Sequence, residues 1–156
     1  MTRWSSVAAS APELAATVQA IFDAHPHKTL ATLRRDGSPR ISGIEVDFAE
    51  GDLWLGMMFG SRKARDLQRD PRFALHGPSV APDPEDPSAW PGDAKLSGLA
   101  VEVTDPDTVR RLAPTPDGRA HLFRADIHEV VLTRVQGDRL VVELWRDGRT
   151  RRFERQ

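Results

Sequence analysis

The sequence predicts a mostly β protein with a few short helices, and three observations carry that expectation. Apolar residues alternate at period 2 through most segments after residue 27. The turns between those segments are short and rich in glycine, as in Arg35-Asp36-Gly37-Ser38, Glu50-Gly51-Asp52 and Gln136-Gly137-Asp138. Strands and helices do not alternate in the way that builds a doubly wound nucleotide fold, and the usual dinucleotide fingerprint is missing. So many strands joined by tight turns favour a closed or nearly closed antiparallel barrel, because closure removes exposed edges. The 156 residues are read as a loose segment over 1–9 and a single domain over 10–156, long enough to bury roughly two-thirds of the unfolded surface.

The first helix is expected from Ser10. Ser10 and Glu13 have capping-box spacing, Pro12 suits a first turn, and Leu14, Val18, Ile21 and Phe22 form one apolar stripe that ends near His25-Pro26. Lys28 to Arg34 and Pro39 to Phe48 then read as a hairpin around Asp36-Gly37, and Leu53 to Phe59 as a third strand completing a meander. Gly60 permits a tight turn into a helix with Ser61 as N-cap, which runs to about Arg69 before Asp70-Pro71 stops it. Phe73 to His76 is a fourth strand. Gly77 to Gly92, rich in Pro, Asp and Ser, is an excursion long enough to suggest a lid or a subunit-contact arm. Lys95 to Thr104 is a fifth strand, and Asp105-Pro106 opens a short helix through Val109 and Leu112. Two long strands, Ala125 to Val135 and Arg139 to Trp145, precede a last short one around Arg151 to Phe153.

Composition excludes several classes of function. Twenty-two Lys and Arg nearly balance 23 Asp and Glu, so no global field draws the chain to nucleic acid or to a membrane surface. Cysteine is absent, which removes disulfides, thiolate metal sites and thiol nucleophiles. No apolar stretch has the length of a membrane span and no charged-then-apolar leader begins the chain, so a cytoplasmic protein is expected.

No hydrolytic constellation stands out. His25 and His27 lack further ligands and read as loop histidines, and His121 and His128 have no recognisable partner in sequence. His128, alternating with Val130 and Leu132, reads as half-buried. Glu102, Glu129 and Glu143 lie mid-strand with their facing undetermined.

Gly60-Ser61-Arg62-Lys63-Ala64-Arg65 carries a stronger signal. Cations in a first helical turn oppose the macrodipole, and a bound phosphate resolves the conflict, since free N–H groups, dipole and side chains converge on one anion. Redox chemistry by a bound cofactor asks for such an anchor, an apolar ring slot and a few polar donors. Arg40, at the start of the second strand, is placed to approach Ser61, and Met57, Met58 and Phe59 lead into the helix as slot candidates.

Leu30-Ala31-Thr32-Leu33-Arg34-Arg35-Asp36-Gly37-Ser38-Pro39-Arg40, the strand ending in Gly60-Ser61-Arg62-Lys63-Ala64, and Leu67 with Asp70-Pro71-Arg72 together resemble the pyridoxamine 5′-phosphate oxidase-like family of flavin-binding split barrels. The likeness continues through Gly92 to Gly98 and His121 to Arg124 to Glu143-Leu144-Trp145. The resemblance implies an antiparallel split β-barrel that forms a homodimer with FMN in clefts at the interface. It assigns the phosphate or ribityl chain to Arg40, Ser61, Arg62 and Lys63, the ring edge to the backbone of Ser42, Gly43 and Ile44, and ring packing to Met57 and Met58. Trp145 is the candidate to reach the partner subunit's flavin.

One departure narrows the expected substrate. Where the true oxidases carry a lysine five positions after the strand arginine to receive the substrate phosphate, this chain has Glu45. Their C-terminal substrate-binding Arg and His set also has no equivalent. The expected activity is therefore hydride or electron transfer between FMN and a small molecule other than a B6 phosphate. The alternatives are a deazaflavin-dependent reductase of the same fold and a non-catalytic flavin- or haem-binding protein.

Overall fold

A computed structural model describes residues Met1 to Gln156. The strands are β1 (Lys28–Leu33), β2 (Pro39–Ile44), β3 (Val46–Ala49), β4 (Asp52–Met58), β5 (Arg72–His76), β6 (Asp93–Val103), β7 (Ala120–Gln136), β8 (Arg139–Arg146) and β9 (Arg149–Arg155). The helices are α1 (Trp4–Ser10), α2 (Pro12–Asp23), α3 (Arg62–Arg69) and α4 (Pro106–Leu112).

The pairing order is β2-β1-β5-β6-β7-β4-β3, antiparallel throughout. The two ends of that path, β2 and β3, are separated in sequence by Glu45 alone, so the chain itself ties the sheet's open edges together and the sheet curls into a barrel. The single strand expected over Pro39 to Phe48 is thus two strands serving opposite edges. The expected meander is corrected accordingly: β2 pairs with β1, and β3 with β4. The early residues of β7 pair with β4 and its later ones with β8, and β9 joins the sheet through β8 alone.

A bulge lets β7 serve both halves. Its register against β6 shifts between Ser97 and Gly98, skipping His128, and the buried positions change parity from Phe123, Ala125 and Ile127 to Val130 and Leu132. Gly98 is required there, because a Cβ would stand 1.9 Å from the Asp126 carbonyl oxygen. The bulge also turns His128 outward, so it is exposed rather than half-buried.

The N-terminal residues 1–9, expected to be loose, contain α1. Trp4 and Val7, one turn apart, are buried; the Trp4 ring meets Phe48 at a centroid distance of 4.7 Å, and its indole N–H donates to Gln19. Ser10 ends α1 instead of capping α2, whose N-cap is Ala11. The α2 stripe is as expected: Leu14, Val18, Ile21 and Phe22 are all buried in the barrel's hydrophobic cluster. Asp105 caps α4 by accepting from the Thr108 N–H. The long excursion after Gly77 carries a single 3-10 turn, Pro87–Ala89, and is tied to itself where the Trp90 indole N–H donates to the Val80 carbonyl.

Candidate functional site

The turn from β4 into α3 organises the site. Gly60 sits at φ +74°, the left-handed region that glycine enters without a Cβ penalty. Ser61 follows with extended backbone angles and occupies the N-cap position, yet its hydroxyl makes no cap hydrogen bond. The Ser61 Oγ is instead buried with no partner at all, a costly state for a hydroxyl unless a ligand completes it.

Lys63 turns back from the first helical turn and donates from Nζ to the Gly43 carbonyl, 2.6 Å away on β2. Burial holds its ammonium below the ordinary lysine value, since desolvation disfavours the charged form. One turn further on, Asp66 accepts from Arg40 Nε at 2.6 Å, Thr32 Oγ1 at 2.9 Å and Arg69 at 3.0 Å. Burial pushes the Asp66 carboxyl up, and the hydrogen bonds from Arg40, Arg69 and Thr32 outweigh it, leaving the group below the usual carboxylate range. Asp66 therefore pins α3 against β1 and β2, and it fixes Arg40 beside the helix. Arg62 points outward and shares an open groove with Arg40.

The structure thus brings Arg40, Gly43, Ser61, Arg62 and Lys63 around one helix start, with Ser42 half-buried on the same strand. Other candidates separate. The side chains of Ile44 and Met57 are buried in the core; strand alternation sends Met57 inward and leaves Met58 exposed, so of the two methionines Met58 faces outward. Trp145 is 2% exposed and donates its indole N–H to the Ser10 hydroxyl under α1. Trp145 thus lies against the last residue of α1, a helix the sequence did not announce.

The outer face of the sheet mixes apolar side chains with polar and charged ones, His76, Lys95 and Glu129 among them. A groove of about 600 Å³ runs there past Ala31, Ile41, Ala74, Ser97 and Val131, and Ile41 is 75% exposed. Glu45, in the break between β2 and β3, has an exposed side chain within 3.8 Å of His27.

A second cluster escaped the sequence because its members lie far apart in the chain. His121 on β7 accepts the Gly60 N–H at Nε2, 3.0 Å, and its Nδ1 lies 2.9 Å from Glu102 on β6. Gln68 on α3 donates to both Glu102 oxygens. Phe59 stacks on the imidazole at 4.9 Å between centroids with an interplanar angle of 7°, and Arg119 lies over the Phe59 ring. These contacts clamp the turn that presents Ser61.

As an anion site the arrangement is coherent: a helix start, an unpartnered hydroxyl, an ammonium and two guanidiniums. A phosphate fits those donors, and its oxygens would accept from the Ser61 hydroxyl that nothing else satisfies.

A family model described as Pyridoxamine 5′-phosphate oxidase matches residues 14–134. Among solved structures, the chain is similar to a conserved hypothetical protein, Rv2991, from Mycobacterium tuberculosis, at 20% identity and TM-score 0.58 over 74% of this chain and 81% of that one. It is similar to an F420 reductase at 19% identity and TM-score 0.54, covering 72% of this chain and 94% of that chain. PhzG from Burkholderia lata 383, in complex with tetrahydrophenazine-1-carboxylic acid, matches at 16% identity and TM-score 0.57 over 93% of this chain and 89% of the other. These likenesses are of fold. No curated protein matches the chain in sequence. No helix is long and apolar enough to cross a membrane.

Proposed function

The chain belongs to the pyridoxamine 5′-phosphate oxidase family, and from that membership we propose that it is an FMN-dependent oxidoreductase acting on a small organic molecule. The observation that carries the reading is the Ser61 hydroxyl, buried and unpartnered at a helix start, with Lys63, Arg62 and Arg40 beside it. Ser61 and Lys63 bind two phosphate oxygens in this reading, and Arg62 closes over the outer side. Arg40 is oriented by Asp66 and offers its remaining N–H groups. The exposed Ile41 and Met58 and the backbone of Ser42 and Gly43 supply an apolar platform with polar edges for a flat ring. The cofactor supplies the chemistry, exchange of a hydride at ring N5; the protein's residues bind, orient and exclude water.

The exposed Ile41 on the outer face of the sheet supports a homodimer, with a second copy of the barrel covering it and roofing the ring slot. Glu45 disfavours a phosphorylated substrate by like-charge repulsion, so oxidation of a B6 phosphate is not the proposed activity. A deazaflavin reductase uses the same anchor, and the shared fold of the F420 reductase keeps that second reading in view.

The absorbance spectrum of protein purified from cells tests the reading, a flavin spectrum being expected. Replacing Arg62 and Lys63 together by Ala should weaken FMN binding by several kcal/mol, at about 1.5–3 kcal/mol per charge-assisted contact, with the fold retained. Unchanged FMN affinity in that double variant would remove the phosphate anchor. Anaerobic reduction of the loaded protein by nicotinamide donors separates an enzyme from a passive binder.

A further inference from the structure

Six guanidiniums, those of Arg34, Arg35, Arg40, Arg62, Arg65 and Arg69, line one open groove of about 440 Å³ between the β1–β2 turn and the outer face of α3. Two carboxylates face them, Asp36 and Asp66, and both are committed. Asp66 pairs with Arg40 and Arg69. Asp36 holds the turn by accepting from the Ser38 N–H and hydroxyl. Arg34, Arg35, Arg62 and Arg65 have no carboxylate in ion-pair contact.

This crowding works against the fold. Arg62, Arg65 and Arg69 fall on one helix face by their spacing, where like charges destabilise a helix. The groove contains no apolar side chain, so packing does not explain the convergence. A phosphate at the helix start answers Arg62 and Lys63, the Asp36 carboxylate attracts Arg34, and the positive charge of Arg35 and Arg65 is left unanswered. Guanidinium forks suit planar, bidentate recognition of carboxylate and phosphoryl oxygens.

We propose that the groove between the β1–β2 turn and α3 is a subsite for a second anionic group, phosphoryl or carboxylate, lying beyond the cofactor's own phosphate. The inference rests on the flavin reading for the identity of its neighbour, while the anion subsite stands on the arginines themselves. The group comes from one of two sources: an extended anionic tail on the cofactor, or a separate polyanionic ligand bound alongside it.

Calorimetric titration with inorganic tripolyphosphate, with FMN and with FAD tests this on the wild-type protein and on the triple variant Arg34→Ala, Arg35→Ala, Arg65→Ala. These side chains are exposed, and a melting curve checks that the variant folds; Arg65→Glu alone gives a second, milder perturbation. Tripolyphosphate should bind the wild type with affinity that falls steeply as salt rises and at least tenfold more weakly to the triple variant, with FMN affinity changed less than twofold. If FAD binds wild type at least tenfold more tightly than FMN and the triple variant loses that advantage, the anion is a cofactor tail. If FAD gains nothing and tripolyphosphate still binds FMN-loaded protein, it is a separate ligand. Tripolyphosphate binding that the triple variant loses, without any flavin binding to either protein, supports the subsite and sinks the flavin reading. Absence of tripolyphosphate binding to the wild type, or equal binding to the triple variant, overturns the proposal.

Discussion

His121 accepts the Gly60 backbone N–H at Nε2, 3.0 Å away, so the proton of its neutral ring sits on Nδ1, where it donates to Glu102 at 2.9 Å. One imidazole thereby joins β7 and β6 to the turn between β4 and α3. A ring protonated on both nitrogens has no lone pair for Gly60, so the turn selects this tautomer.

Replacing His121 by Ala removes the Gly60 acceptor and the face on which Phe59 stacks. A loss of about 1–3 kcal/mol is expected, read from the urea midpoint at unchanged m-value, together with weaker FMN binding because the Ser61 turn loosens. Nitrogen chemical shifts of the labelled wild-type ring should report protonated Nδ1 and bare Nε2; the opposite pattern would contradict the assignment.

Asp66 is the carboxylate on which Arg40, Thr32 and Arg69 converge, and it is 3% exposed. Asp66→Ala leaves Arg40 without its buried partner, for an expected cost of about 3–5 kcal/mol. A denaturation series with Arg40→Ala should show strong non-additivity, since the two side chains form one pair.

Acid should erode the fold through the same groups. Asp66 lies below its ordinary value for the reasons given above. Hydrogen bonds from the Arg72 side chain and backbone lower Asp70 to about 2. A depressed carboxyl stabilises the fold fully above its unfolded value of about 3.9 and loses that contribution as pH falls through the folded value. Stability is therefore expected to decline between about pH 4 and pH 2, and Asp70→Asn should shallow the decline. A melting temperature flat over that window in the wild type would contradict this.

Lys63 runs the other way. Its folded value is lowered by burial, so the buried ammonium costs stability below that value and the cost fades as pH rises through it. An anion seated beside Nζ restores the charge, so FMN binding at alkaline pH should take up a proton. Titration in two buffers of different ionisation enthalpy measures the uptake, and Lys63→Arg should abolish it.

Gly98→Ala places a Cβ against the Asp126 carbonyl at 1.9 Å. The bulge cannot absorb it without breaking the β6–β7 ladder, so a severe loss of stability is expected. Gly37→Ala meets no atom within 4 Å but must hold φ +82°; its smaller effect, read on the same melting curve, calibrates conformational strain against collision.

Local pattern by itself determined the class of fold, the α2 stripe, the Asp105 cap and the helix that starts at Ser61, because each depends on residues within a turn or two of one another. It also marked Ser61, Arg62 and Lys63 as candidates to hold an anion, since cations at a helix start carry their own electrostatic question; Arg40, 21 positions before Ser61, reaches that helix only through its pairing with Asp66. Tertiary structure alone decided what lies between distant strands. It divided Pro39 to Ala49 at Glu45 into two edges, which closed the barrel. It hid Met57 and Trp145 in the core, the latter beneath a helix whose two buried anchors, Trp4 and Val7, are too few to announce it. It brought His121, Glu102 and Gly60 together across as many as 61 positions, a contact made by register in a sheet, which no local period encodes.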